Sequence, residues 1–97
     1  MENLFISDSV LTKIQTKHQV SRSEVIQCFT NRSRKLLFDT REKHQTNPPT
    51  LWFIAKTNKN RALKIVYIQS GTKVQLKSAF EPNEIEFEIY RKFGGSF

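Results

Sequence analysis

The sequence predicts an α+β domain: an N-terminal helical hairpin, an antiparallel sheet of about four strands and a C-terminal helix, in a single domain over 1–97. Three observations predict it. Residues 51 to 80 hold three runs rich in Val, Ile, Leu and aromatics, separated by Thr57-Asn58-Lys59-Asn60 and Gln69-Ser70-Gly71-Thr72; runs and gaps of this size read as a meander. Ahead of it, two segments with helical apolar spacing are broken at Gln19-Val20. Behind it, apolar residues recur at helical spacing until Gly94-Gly95 stops the pattern.

Taken in order, Leu4-Phe5-Ile6 is a short edge strand or a packing arm. Asp8 or Ser9 caps a helix carrying Val10, Leu11, Ile14 and His18. Ser21-Arg22-Ser23-Glu24 is a capping box, Ser21 bonding forward and Glu24 reaching back, ahead of Val25, Ile26 and Phe29. The shared apolar face of these two helices covers the sheet. Leu36-Leu37-Phe38-Asp39 reads as a short strand and residues 40 to 50 as a polar loop, in which Asn47-Pro48-Pro49 prevents helix. Pro82 suits the first turn of the last helix, and Ile85, Ile89 and Phe93 form its apolar stripe, flanked by Tyr90. Its acids come early and Arg91 and Lys92 late, complementing the helix dipole.

A chain of 97 residues fits one core. Its single cysteine, Cys28, excludes an intrachain disulfide and suits a reducing, cytoplasmic setting. No run is apolar for long enough to span a bilayer, so no membrane partner is expected. His18, His44 and one Cys are too few for a structural zinc site, and no cofactor is implied. The absence of a Gly-rich phosphate loop or a Ser/His/Asp arrangement argues against a metabolic enzyme.

Charge carries the functional signal. The formal net charge is +7, and no Asp or Glu occurs between Glu42 and Glu81. A sheet of one sign awaits a polyanion. Strand alternation divides the side chains into two faces. One choice of registers gathers Trp52, Lys56, Lys64, Lys73, Gln75 and Lys77 on one face, and sets Val74, Leu76 and Ser78 on the other. Trp52 is either a stacking platform for an unpaired base or a core aromatic. Arg41 and His44 in the polar loop reach over the sheet or are solvated.

The order of elements and several motifs resemble the BrnT-type members of the RelE-like toxin superfamily. Lys17-His18-Gln19-Val20-Ser21 with Glu24-Val25 and Phe29 resembles the family's opening motif, Gln19 standing where Gly is usual. Pro49-Thr50-Leu51-Trp52-Phe53-Ile54-Ala55 and Arg61-Ala62-Leu63-Lys64-Ile65-Val66-Tyr67 resemble its strand pair. Lys77-Ser78-Ala79-Phe80-Glu81-Pro82-Asn83, with Glu86 and Tyr90, resembles its closing motif. Phe80 stands where many members carry Arg, which points to a divergent member.

The resemblance implies an mRNA-cleaving toxin, acting free or on the ribosome and held by an acidic antitoxin protein. In such a metal-independent endoribonuclease the RNA 2′-OH attacks the adjacent phosphate, giving a cyclic phosphate and a 5′-OH. The reaction needs a base, a proton donor and fixed cations for the phosphorane charge. A lysine crowded among other cations can serve as the base. Lys56, Lys64 and Lys77 meet that description, and Tyr90 is a candidate proton donor. Arg41, Arg61 and Lys73 would hold flanking phosphates and Trp52 would stack a base. The alternative on the same fold is a non-catalytic module that binds nucleic acid or an acidic partner.

Overall fold

A computed structural model describes residues 1–33, 35–39 and 48–94. Its elements are β1 (Leu4–Phe5), α1 (Asp8–Lys17), α2 (Arg22–Asn31), β2 (Leu37–Phe38), β3 (Thr50–Lys56), β4 (Ala62–Ser70), β5 (Lys73–Phe80) and α3 (Glu84–Gly94). The strands form one sheet in the order β1-β5-β4-β3-β2. The α+β class and the helix–strand layout match the expectation. The sheet differs from it: it has five strands, and it is mixed because β1 runs parallel to β5. The N-terminal segment fixes that direction. The Asn3 carbonyl accepts from the Val74 N–H at 2.9 Å, and the Asn3 amide donates to the Thr72 carbonyl at 2.6 Å. Leu4 is thereby driven into the core beside Val74.

Two hairpins build the antiparallel part. Between β3 and β4 the Asn60 N–H donates to the Thr57 carbonyl, and Asn60 takes φ +66. A turn followed by one left-handed residue is a favoured three-residue hairpin loop, and Asn tolerates that conformation. Between β4 and β5, Ser70 pairs with Lys73, leaving Gly71-Thr72 as the loop. Gly71 carries its positive φ, +61, at the position where a type II′ turn requires it.

The β4–β5 register slips between Val66 and Tyr67. Val66 faces Ser78 and Tyr67 faces Leu76, so Lys77 is the extra residue of a β-bulge. Strict alternation expected Ser78 beside Val74 and Leu76; the bulge instead turns it to the face of Val66 and Trp52.

One face of the sheet, with Phe53, Leu63, Ile65, Leu76 and Ala79, is closed by α1 and α2 through Ile14, Val25 and Cys28. The two helices cover the sheet, as expected of their apolar faces, α1 over β5 and α2 over β3 and β4. Ser7, rather than Asp8 or Ser9, is the N-cap of α1. The capping box of α2 is present as expected. Between the helices Gln19 adopts φ +52, the left-handed turn that glycine favours.

The opposite face carries α3, which lies over β3 and β2. Here the expected stripe is reversed. Ile85, Ile89 and Phe93 are 70%, 41% and 61% exposed, while Tyr90 is completely buried. The helix turns Glu86 and Tyr90 to the sheet because Lys64 and Trp52 lie beneath it and are met by those side chains. Pro82 precedes the N-cap instead of opening the first turn: the Asn83 side chain accepts from the Glu86 N–H at 2.8 Å, and Glu86 accepts from the Asn83 N–H at 3.0 Å. Among the described residues no helix is long and apolar enough to cross a membrane.

Candidate functional site

The residues singled out in the sequence fall into four places. Trp52, Lys64 and Tyr90 come together under α3. The Lys64 Nζ lies 4.5 Å from the Trp52 ring centre and donates to Glu86 Oε2 at 2.7 Å. The Trp52 and Tyr90 rings are 5.6 Å apart, and the Tyr90 phenol donates to the Lys35 carbonyl at 2.9 Å. Lys64 is therefore a counter-ion and Tyr90 a buried anchor. The local sequence explains this. Lys64 alternates onto the Trp52 face, the acid-free strands give it no carboxylate, and the N3 glutamate of the neighbouring helix supplies one.

Arg61 is committed elsewhere. Its guanidinium donates to the carbonyls of His18 at 2.9 Å and Gln19 at 2.8 Å and to Glu24 at 3.0 Å, with Glu81 at 3.5 Å. It closes the C-terminal end of α1 and braces the capping box of α2. Burial alone would raise the Glu24 carboxyl, but the Ser21 N–H and the Arg61 guanidinium outweigh it and hold the group below its ordinary value. Opposed effects act on Arg61: burial lowers it, and Glu24 and Glu81 raise it further, to a net upward shift.

Lys73 and Lys77 stand exposed on β5 with Gln75 between them. The Lys73 ammonium lies 4.6 Å from the ring centre of Phe5. Their face is that of Trp52, because Ile68 pairs with Gln75 and Ser70 with Lys73. Lys56 is exposed on the same face but at the far end. It pairs with Ala62, whereas Lys73 pairs with Ser70, a separation along β4 of about 26 Å at roughly 3.3 Å per residue. One phosphate cannot engage both. Arg41 and His44 lie outside the described residues.

Sequence reasoning missed the cleft beside Lys64. Leu37, Phe38, Asp39, Trp52, Ile89 and Phe93 surround the Lys64–Glu86 ion pair, enclosing about 510 Å³. Phe38 is 63% exposed, so aromatic surface is available at the rim. The signal was present for Glu86: Asn83-x-x-Glu86 repeats the spacing of Ser21-x-x-Glu24.

Cys28 is fully buried, its Sγ 3.7 Å from the Ala55 carbonyl. Burial, with a contribution from the charge of Glu24, pushes its thiol up to about 12, so it is a core filler and no nucleophile. Among the described residues no three His, Cys, Asp or Glu side chains converge to hold a metal.

No family model, no curated protein and no solved structure matches the chain. The likeness to BrnT-type toxins rests on the residues quoted for it.

Proposed function

We propose that this chain binds single-stranded RNA through the acid-free part of its sheet, as a non-catalytic module. One observation carries the reading: Lys73, Gln75 and Lys77 are exposed together on a face that no carboxylate of β3, β4 or β5 neutralises. On the same side of the sheet Glu86 is already engaged by Lys64, and on the opposite side Glu24 is engaged by Arg61. Fixed cations of this kind release counter-ions from a polyanion, so affinity falls steeply with salt. The groups named for catalysis are separated or engaged, which favours binding over cutting. An acidic protein would compete for the same face, and in this reading it is the regulator.

A second reading, the metal-independent RNA-cleaving toxin, is favoured by the β-bulge at Lys77. Bulges recur beside active sites, where they re-aim a side chain. One experiment separates the two. Purified protein is titrated with labelled single-stranded RNA at rising salt, and RNA 5′ ends are mapped during expression. Intact RNA bound with a linear fall of log K against log salt supports the binding module. New 5′-hydroxyl ends and growth arrest, both lost in Lys77→Ala, decide for the toxin. Absence of RNA binding at low salt sinks both and leaves a face that docks an acidic protein.

A further inference from the structure

We propose that the cleft between β2, β3 and α3 receives the base of an unpaired guanine; this inference rests on the RNA-binding reading. The cleft of about 510 Å³ falls within the range of small-molecule sites. Its rim carries Phe38 and Phe93, 63% and 61% exposed, on which a base can stack. Its polar groups are Asp39 and the Lys64–Glu86 pair, which sets a donor beside an acceptor, 2.7 Å apart.

Guanine matches that pair by its own chemistry. Its Watson–Crick edge sets one acceptor, O6, beside two adjacent donors, N1–H and N2–H. Lys64 has further N–H donors beyond the one given to Glu86, and each carboxylate oxygen has a second acceptor site. Glu86 uses one site for Lys64 and one for the Asn83 N–H. Two adjacent N–H groups facing a carboxylate make charge-assisted bonds, while O6 takes the ammonium. Adenine and cytosine each present one amino donor on that edge, and uracil a single N–H between two carbonyls.

An apolar side chain from a protein would fit the walls but not the floor. It would cap the ion pair and strip its remaining water without replacing the lost hydrogen bonds. A base supplies them. The flanking phosphates would meet cations, since Lys92 lies 5.5 Å from the Phe93 ring centre and Lys35 is exposed where its carbonyl anchors Tyr90.

Trp52 is the only tryptophan and lines the cleft, so its fluorescence reports occupancy. The test titrates full-length protein with uridine-only RNA, the same RNA carrying one guanosine or one adenosine, and an abasic oligonucleotide of equal length. We expect the guanosine RNA to bind about tenfold tighter than the uridine RNA and alone to change Trp52 emission. Phe38→Ala and Phe93→Ala, each removing an exposed ring, should abolish that preference while leaving uridine RNA binding intact. Equal binding of all four with unchanged emission overturns the guanine site and leaves the RNA-binding reading standing. Loss of all binding at low salt overturns both. A leucine-rich acidic peptide that changes Trp52 emission when guanosine RNA does not assigns the cleft to a protein and overturns the proposal.

Discussion

The two faces of the sheet are held by the same device and end with different properties. On each, a helix opens with a capping box whose glutamate also grips a cation near the start of β4. Ser21 and Glu24 meet Arg61 on one side, and Asn83 and Glu86 meet Lys64 on the other. Arg61 spreads its donors over two carbonyls and a carboxylate and seals a helix junction. Lys64 donates to Glu86 and otherwise faces aromatic rings. Beneath α1 and α2 the apolar groups interlock, with Phe29 edge-on to both Phe53 and Tyr67. Under α3 a single ring, Tyr90, is fully buried, while the stripe Ile85, Ile89 and Phe93 looks outward. The same cap-and-cation device thus closes one core and leaves a cleft of about 510 Å³ beside the other.

The comparison breaks most severely at Tyr90. Tyr90→Ala removes the ring that anchors α3 and should cost about 4 kcal/mol in urea unfolding. Tyr90→Phe, which keeps the ring and loses the bond to the Lys35 carbonyl, should cost about 1 kcal/mol and leave RNA binding unchanged. Next comes Lys64→Ala, which strands Glu86 in a half-enclosed site, with a cost of about 3 kcal/mol. A smaller loss would show that water reaches the ion pair freely.

Arg61→Ala should cost about 2 kcal/mol through its charged hydrogen bonds. It also changes the response to acid. Glu24 has a folded value below its unfolded one, so its contribution is fully present above the ordinary glutamate value of about 4.3 and is lost as pH falls through the lower folded value. Unfolding midpoints between pH 6 and pH 3 should therefore drop less steeply in Arg61→Ala than in the parent. An identical slope would detach Glu24 from Arg61.

The smallest effect is a gain. Gln19 pays for a left-handed backbone that glycine adopts without strain, so Gln19→Gly should stabilise by about 0.5–1 kcal/mol. Its side-chain bond to the Thr16 carbonyl is lost, but the carbonyl that Arg61 holds remains.

Much of this architecture is written locally. The hydrophobic runs, the turn at Asn60, the turn at Gly71 and the Ser21–Glu24 capping box can be read from short-range chemistry. What could not be read depends on distant partners. The bulge at Lys77 exists only in the pairing of β4 with β5. The parallel course of β1 is set by bonds from Asn3 to Thr72 and Val74. The periodicity of α3 offered two faces, and burial of Trp52 and Lys64 selected the one with Tyr90 and Glu86. The candidate site divides the same way. Trp52 and Lys64 share a face by alternation, but the role of Lys64 as counter-ion follows from a helix more than 20 residues downstream. Phe38 entered the cleft only through its pairing with Leu51.

The most direct test of the basic face is its salt slope. Each phosphate contact on a single strand contributes about 0.7 to the slope of log K against log salt. The account predicts that Lys73→Ala with Lys77→Ala lowers the slope by about 1.4 without changing the unfolding midpoint. An unchanged slope, with RNA still bound, would contradict it and move the contact surface away from β5.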